Sequence, residues 1–191
     1  TNPPLAKAPP MRVLALLVAL LFALPAQARP VMDLENVRLI HCKGGWGTGT
    51  YIGGGRMLTA WHVVENGSCV VDGRPARVLM GNATSDYAVL AVPNKRGTRI
   101  SCRGFRRGEF YLAAGFAGGS TLVVTGARNV GDHASIDRIA DLTVFSGRAF
   151  PGMSGGPVYD LTGRIVGIIN GGNAFAGMAL FRPLNETGLC Q

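Results

Sequence analysis

The sequence predicts an all-β protein made of two similar halves, each with about six short strands. Glycine is frequent, with 28 among 191 residues. Runs of β-branched and aromatic residues alternate with turns that contain glycine, asparagine or aspartate. No sustained apolar repeat of 3.6 residues follows residue 28, which argues against large helical domains. Single helical turns after His62 or at the C-terminus are compatible with this pattern.

Each half is expected to form one barrel, and a polar stretch with proline and glycine at residues 93–99 lies between them. We place the N-terminal barrel in residues 29–95 and the C-terminal barrel in residues 96–191. The predicted strands are residues 37–41, 48–52, 56–60, 69–71, 76–80 and 87–92 in the first half, and 110–116, 121–129, 141–145, 156–159, 165–169 and 178–181 in the second.

Residues 1–28 differ in character from the rest of the chain. Residues 1–10 precede Met11, and Arg12 is followed by an apolar run of 12 residues and the small-residue triplet 26–28. This order is typical of a secretory signal peptide, cleaved here after Ala28. The run is shorter than the ~20 residues of a membrane-spanning helix, so a retained anchor is the alternative. We therefore expect a secreted or periplasmic protein that leaves the membrane after cleavage.

The basic charge does not indicate nucleic-acid binding. Loss of residues 1–28 removes Lys7 and Arg12 and no acidic residue, which lowers the formal charge from +8 to +6. The densest basic group, Arg103, Arg106 and Arg107, lacks a helical stripe or interleaved aromatic residues. We interpret it as a solvated loop and expect no nucleic-acid partner, while weak attraction to anionic surfaces or acidic substrates stays open.

Four cysteines, Cys42, Cys69, Cys102 and Cys190, follow the predicted signal peptide. An even number of cysteines in an exported chain favours disulfides. We favour a Cys42–Cys69 pair because the two residues flank the segment around His62, and the remaining pair would then tie the interdomain region to the C-terminus. Four buried thiols are the alternative. The spacing is not that of a zinc site, and no cofactor or metal is implied.

A serine among glycines is the most informative feature of the chain. Residues 151–158 read Pro-Gly-Met-Ser-Gly-Gly-Pro-Val, with Ser154 at the centre. Gly152 permits a backbone turn that a side chain would obstruct. Such a turn can aim the N–H groups of Gly152 and Ser154 at one point and form an oxyanion hole.

A serine nucleophile needs a neighbouring base, and three histidines are candidates. His62 lies at the end of an apolar strand, where it can be held rigidly beside a cleft. His41 adjoins a cysteine in a strand, and His133 lies in a turn-like Gly-Asp-His sequence. The pattern therefore favours His62 as the base.

The histidine in turn needs a carboxylate that fixes its tautomer and stabilises its cation. Asp86 directly precedes an apolar strand and can point inward from the end of a sheet. The other acidic residues considered lie in turn-like contexts: Asp72, Asp132, Asp137, Asp141 and Asp160.

Three motifs in this order resemble those of the trypsin-like (chymotrypsin-fold) serine peptidases. They are Thr-Ala-Trp-His at residues 59–62, Asp-Tyr-Ala-Val-Leu at 86–90 and Gly-Met-Ser-Gly-Gly-Pro at 152–157. The resemblance spans roughly residues 47–183 and is strongest to small bacterial, phage and viral members, including the protease part of HtrA-like enzymes. It implies two perpendicular six-stranded antiparallel β-barrels with the active site in the cleft between them. His62 and Asp86 would come from the first barrel and Ser154 from the second.

The resemblance also implies a substrate-binding strand. Asn170, Gly171 and Gly172 would pair with the substrate backbone and wall the primary pocket, with Gly177 on its opposite wall. Arg148 replaces the pocket-floor acid of trypsins, so cleavage after lysine or arginine is not expected. Arg148 would favour an acidic substrate residue if it reaches the pocket, and the alternative is that it points to solvent.

A second departure concerns activation. Met153 stands where animal trypsins carry the aspartate that pairs with a newly cut N-terminus, and the matching N-terminal motif is absent from the sequence. That route of activation is therefore not expected.

These features predict a monomeric serine endopeptidase that hydrolyses protein or peptide substrates through an acyl-enzyme. Residues 152–156 also fit the Gly-x-Ser-x-Gly elbow of α/β-hydrolases, but no histidine follows Ser154, as that fold requires. The alternative that stays open is a catalytically silent module that binds peptides or a surface ligand on the same scaffold.

Overall fold

The computed structural model of the protein describes residues 32–94, 96–137 and 139–190. Its strands form from short runs of β-branched and aromatic residues. The predicted signal peptide, residues 1–28, lies outside the described residues. Within the described residues, no helix reaches the length and apolar character that crossing a bilayer requires.

The first six strands close into an antiparallel barrel in the order β1-β2-β3-β6-β5-β4. A four-residue helix, α1 (Trp61–Val64), follows β3 and begins where the backbone leaves the extended conformation at Ala60. The strands are β1 (Val37–Cys42), β2 (Gly45–Gly53), β3 (Arg56–Thr59), β4 (Cys69–Val71), β5 (Arg74–Asn82) and β6 (Tyr87–Ala91).

The next six strands form a second closed antiparallel barrel in the order β10-β11-β12-β9-β8-β7. They are β7 (Phe110–Ala117), β8 (Thr121–Ile136), β9 (Ile139–Ser146), β10 (Pro157–Tyr159), β11 (Ile165–Asn173) and β12 (Met178–Pro183). Short 3₁₀ turns lie at Leu34–Asn36, Leu184–Glu186 and Gly188–Cys190. The predicted all-β class with two six-stranded barrels is confirmed, while the domain boundary at residues 95–96 stays a prediction.

The hairpin of β8 and β9 is longer than the sequence predicts. The Gly-Asp-His sequence at residues 131–133 was expected to form a turn, and the structure shows this to be wrong because His133 lies in β8, opposite Thr143 of β9. The pairing shifts register between Asn129 and His133, and Gly131 adopts a φ of 84° there. An irregularity of this kind absorbs the glycine without ending the strand.

The two barrels share a buried core. Apolar side chains from both pack into one cluster, and β7 of the second barrel contacts β1 and β2 of the first. Burial of these apolar side chains stabilises the contact between the two barrels. The cluster includes Val37, Leu58 and Val89 from the first barrel and Ala114, Tyr159 and Ile168 from the second.

Two disulfides add covalent constraints. Cys42 and Cys69 join β1 to β4 across a sequence separation of 27. Cys102 and Cys190 join the segment between the barrels to the C-terminal turn across a separation of 88. The favoured pairing is therefore confirmed.

Candidate active site

His62 lies on the first turn of α1, immediately beyond β3, rather than at the end of the strand itself. Its side chain is one-third exposed and its Nδ1 lies 2.8 Å from Asp86 Oδ2. The His62 backbone N–H donates to the other carboxylate oxygen, Asp86 Oδ1, at 2.9 Å. Because Nδ1–H is the donor to a carboxylate, Nε2 is left as the basic nitrogen of the neutral ring.

Asp86 lies in the turn before β6 and is 1% exposed. Its φ of 47° places it in the left-handed region, which aspartate tolerates better than most residues. A buried carboxylate is costly unless donors surround it. The two contacts from His62 and a third from the second barrel supply those donors.

The third donor is Asn170 on β11. Its Nδ2 lies 2.8 Å from Asp86 Oδ2 and 2.9 Å from the Asp86 carbonyl oxygen. Asn170 is predicted from sequence to belong to the substrate strand, and this contact of its side chain is not predicted. The available signal was an amide within the apolar run Ile-Val-Gly-Ile-Ile-Asn, because a buried amide needs a polar partner.

The loop that carries Ser154 is held against the first barrel by Thr48 of β2. The Thr48 N–H donates to the Ser154 carbonyl at 2.8 Å, and Thr48 Oγ1 donates to the Gly152 carbonyl at 2.7 Å. The same hydroxyl accepts the Phe116 N–H at 2.9 Å. Thr48 therefore links the serine loop and β7 through one buried side chain, a role that sequence reasoning missed.

Gly155 permits the close approach of the serine loop to the histidine segment. Its φ is +81°, and a Cβ at this position would lie 2.2 Å from Thr59 Oγ1 and 2.7 Å from the Ala60 nitrogen. Residue 155 must therefore lack a side chain for Ser154 to lie beside the strand that leads to His62.

Two peptide units in the loop are fixed through their carbonyl groups. The Gly118 N–H donates to the Pro151 carbonyl at 2.8 Å, and the Gly156 N–H donates to the Met153 carbonyl at 2.9 Å. In a trans peptide the N–H points away from the carbonyl of the same unit. The N–H groups of Gly152 and Ser154 are thus turned away from these contacts, and neither donates a hydrogen bond to any described residue.

No hydrogen bond joins Ser154 to His62 within the described part of the chain. The structure connects His62 to Asp86 directly, whereas Ser154 meets the first barrel through Thr48. The hydrogen bond between a serine and the histidine that activates it is often long in an enzyme without substrate and shortens when the substrate binds.

Two cavities flank this arrangement. One of about 360 Å³ is lined by His62 and Trp61, by Gly171 and Gly172 of β11, and by the tip of the β8–β9 hairpin. The other, of about 560 Å³, lies between residues 148–151 and residues 172–175. Gly172 thus lines both cavities, and it belongs to the predicted substrate strand.

Arg148 lines the larger cavity and is the one charged residue on its wall among the described residues. It is exposed and makes no hydrogen bond or ion pair with the described residues. Gly177 lies in the turn between β11 and β12, where its carbonyl accepts the Gly147 N–H at 2.9 Å, and it does not line the cavity.

Comparison with known proteins agrees with this geometry. The family model described as "Trypsin-like peptidase domain" matches residues 47–168, more than half of the chain. The uncharacterised protein y4bJ of Sinorhizobium fredii is 29% identical over 134 residues, which cover 64% of this chain. The chain spans only 21% of the length of that relative.

Solved structures show the same fold. The Rv3671c protease of M. tuberculosis in its inactive form is 26% identical, with a TM-score of 0.66 over 79% of this chain and 84% of that one. The HtrA-type protease AlgW, solved with a tripeptide, is 23% identical, with a TM-score of 0.66 over 78% of this chain and 56% of that one. Together with the family match, these similarities show that the chain belongs to the trypsin-like peptidase family.

Proposed function

We propose that the protein is a serine endopeptidase in which Ser154 is the nucleophile, His62 the general base and Asp86 the residue that orients the base. The observation that carries this proposal is the hydrogen bond of 2.8 Å between His62 Nδ1 and the buried Asp86 carboxylate. Because a carboxylate oxygen can only accept, this bond places the ring proton on Nδ1 and leaves Nε2 as the nitrogen that takes the serine proton.

The first chemical step is attack of Ser154 Oγ on a peptide carbonyl while His62 Nε2 takes the hydroxyl proton. The Asp86 carboxylate stabilises the imidazolium that forms. The N–H groups of Gly152 and Ser154, free of protein partners in the described residues, would donate to the oxyanion.

The tetrahedral intermediate then breaks down as His62 returns the proton to the leaving amine. This leaves an ester between Ser154 and the acyl half of the substrate. Water, deprotonated by His62, attacks the ester and restores the serine hydroxyl.

Cleavage of a peptide library tests the assignment. Ser154→Ala and His62→Ala are expected to reduce kcat by at least ~10³-fold with the fold intact, because each removes one member of a unit that acts together. Asp86→Asn is expected to reduce kcat by a comparable amount, since it presents the wrong partner to Nδ1. Ser101→Ala, outside the site, is the matched control. Cleavage by pure Ser154→Ala protein at the wild-type rate would show that Ser154 is not the nucleophile.

We also propose that the enzyme is exported. Two disulfides support an oxidising compartment such as the periplasm or the cell exterior. N-terminal sequencing of protein recovered from such a compartment is expected to begin at Arg29. An intact N-terminus held in the membrane fraction would favour the retained anchor instead.

The larger cavity is proposed as the primary specificity pocket, with Arg148 selecting an acidic side chain. Its other walls are largely apolar and include Ala149, Phe150, Pro151 and Phe175, so the Arg148 guanidinium is the charged group that a substrate carboxylate would meet there. A bidentate pair between the two is the expected contact.

Peptides that differ only in the residue before the scissile bond test this preference. Glutamate is expected to exceed glutamine by at least ~10-fold in kcat/KM, and Arg148→Gln is expected to abolish the difference. Arg74→Gln, which removes an exposed charge from the first barrel, is the matched control. Equal cleavage after glutamate, leucine and lysine by the wild-type protein would reject the acid preference and leave the peptidase proposal standing.

A further inference from the structure

Arg182 is a buried arginine that contacts both barrels near Asp86. It lies on β12 and is 4% exposed. Its Nε donates to the Ser85 carbonyl at 3.1 Å, and its Nη1 donates to the Asp141 carbonyl at 3.1 Å. Nη2 donates to the Ala140 carbonyl. One guanidinium thus holds carbonyl groups from two separate segments.

Glu186 compensates the charge of this guanidinium. Its carboxylate lies 2.8 Å from Arg182 Nη1 and remains partly exposed at the C-terminal turn. A buried charge is tolerated when it is paired and its hydrogen bonds are satisfied. Arg182 meets both conditions, so the position of its guanidinium is well defined.

Ser85 directly precedes Asp86, so the Ser85 carbonyl and the Asp86 N–H belong to the same peptide unit. The N–H of Ser85 is held as well, by Asn82 Oδ1 at 2.8 Å. Asp86 continues from there with a φ of 47°. A contact that fixes the plane of the preceding peptide therefore helps to fix the direction of the Asp86 side chain toward His62.

The other two carbonyls belong to β9, the returning strand of the hairpin. The tip of that hairpin, with Ile136 and Ile139, lines the cavity beside His62. The guanidinium of Arg182 therefore contacts both the turn that precedes Asp86 in the first barrel and the part of β9 next to the hairpin tip.

We infer that Arg182 is a positioning residue for the proposed triad, which holds Asp86 in register with His62 by fixing the Ser85 carbonyl against the second barrel. This inference rests on the proposed function. It assigns to Arg182 no contact with substrate, and its effect passes through Asp86.

Arg182→Lys tests this role because lysine keeps the positive charge for Glu186 but cannot donate to three separate carbonyls in a planar fork. We expect kcat to fall about 10- to 100-fold with KM changed less than about threefold. The pH profile of kcat/KM is expected to shift, and labelling of Ser154 by a small fluorophosphonate is expected to slow by a similar factor. Arg128→Lys is the matched control, since the exposed Arg128 also donates to a carbonyl, that of Gly108.

A second variant guards against a failure to fold. Arg182→Met combined with Glu186→Leu removes both charges, and replacing a buried ion pair by apolar residues is often neutral or stabilising. The double variant is expected to fold and to show the same loss of kcat and the same shifted pH profile.

Two results would overturn the inference. Folded Arg182 variants with the wild-type labelling rate and pH profile would show that Asp86 needs no such support. Loss of folding in both variants would assign Arg182 a structural role only. Failure of the wild-type protein to react with the fluorophosphonate would instead contradict the proposed function itself.

Discussion

Asp86 is a carboxylate buried at the meeting of the two barrels, and its partners come from both of them. His62 contributes two donors from the first barrel and Asn170 contributes its amide from the second. Each of these contacts supplies a donor to a carboxylate that water cannot reach. The position of the acid thus depends on residues that are 24 and 84 positions away in the sequence.

Asn170→Ala is expected to lower kcat/KM about 10-fold, which corresponds to about 1.4 kcal/mol. The reason is that Asp86 loses its donor from the second barrel while His62 and Ser154 remain. Steady-state kinetics on one peptide checks this value, with Asn185→Ala as the control. Unchanged kinetics in folded Asn170→Ala protein would show that the two contacts from His62 suffice.

Activity is expected to be lost toward acidic pH, because a protonated imidazole cannot accept the serine proton. A pH profile of kcat/KM for the wild-type enzyme is therefore expected to show an increase on its acidic side. A profile that is flat from about pH 5 to 8 would argue against a histidine base.

The residues proposed to carry the chemistry were predicted from sequence, whereas the contacts that support them were not. Ser154 and His62 stand in short local motifs, which the resemblance places in order. Asn170, Thr48 and Arg182 act through contacts more than 80 positions away in the chain. No local pattern in one sequence encodes such contacts.

The serine loop owes its shape to hydrogen bonds from outside the loop. Thr48 of β2 contacts it at the Ser154 and Gly152 carbonyls, and Gly118 contacts it at the Pro151 carbonyl. The bond from Gly118 sets the plane of the peptide unit that carries the Gly152 N–H, which is proposed to meet the oxyanion, and the Thr48 bonds fix the neighbouring units. A loop prepared in this way needs little reorganisation during the reaction.

Thr48→Val is expected to lower the free energy of unfolding by about 2–3 kcal/mol, because the Gly152 carbonyl and the Phe116 N–H both lose their buried partner. It is expected to lower kcat about 10-fold as the loop loosens. Denaturant unfolding and kinetics measure the two effects.

Thr125→Val is the matched control for that substitution. Thr125 Oγ1 is buried and has no hydrogen-bond partner among the described residues. Its replacement by valine is therefore expected to be neutral or stabilising. Equal destabilisation in both variants would show that the contacts of Thr48 carry no special weight.

Strands were predicted well where the apolar pattern is bounded by turns, as in β3 and β10. The exception is the β8–β9 hairpin, where Gly131 and Asp132 indicate a turn by composition. Pairing with β9 overrides that local signal, since the register shift accommodates the extra residues. The correction matters for function, because the extended hairpin reaches the cavity beside His62.

At the scale of the whole molecule, the described residues form two barrels that share a core and contain two disulfides. The Cys102–Cys190 bond links the segment between the barrels to the C-terminal turn that carries Glu186. The Cys42–Cys69 bond closes a shorter loop within the first barrel. The spacing of the strands predicts one barrel in each half of the chain. The packing between the barrels depends on side chains of both halves and could not be predicted in this way.

Removing the longer disulfide is expected to cost more stability than removing the shorter one. Chain-entropy arguments give about 4.6 kcal/mol for Cys102→Ser with Cys190→Ser and about 3.6 kcal/mol for Cys42→Ser with Cys69→Ser. Urea unfolding of the two double variants compares them. The reverse order would show that native contacts, rather than loop length, dominate their contributions.

Reaction of the folded protein with a fluorophosphonate, followed by mass spectrometry of its peptides, tests the central claim most directly. A fluorophosphonate modifies a serine only where a base and an oxyanion site activate it. The account predicts one adduct per molecule, located on Ser154, formed far more slowly in His62→Ala protein and absent from Ser154→Ala protein. An unlabelled wild-type protein, or an adduct on another residue, would contradict it.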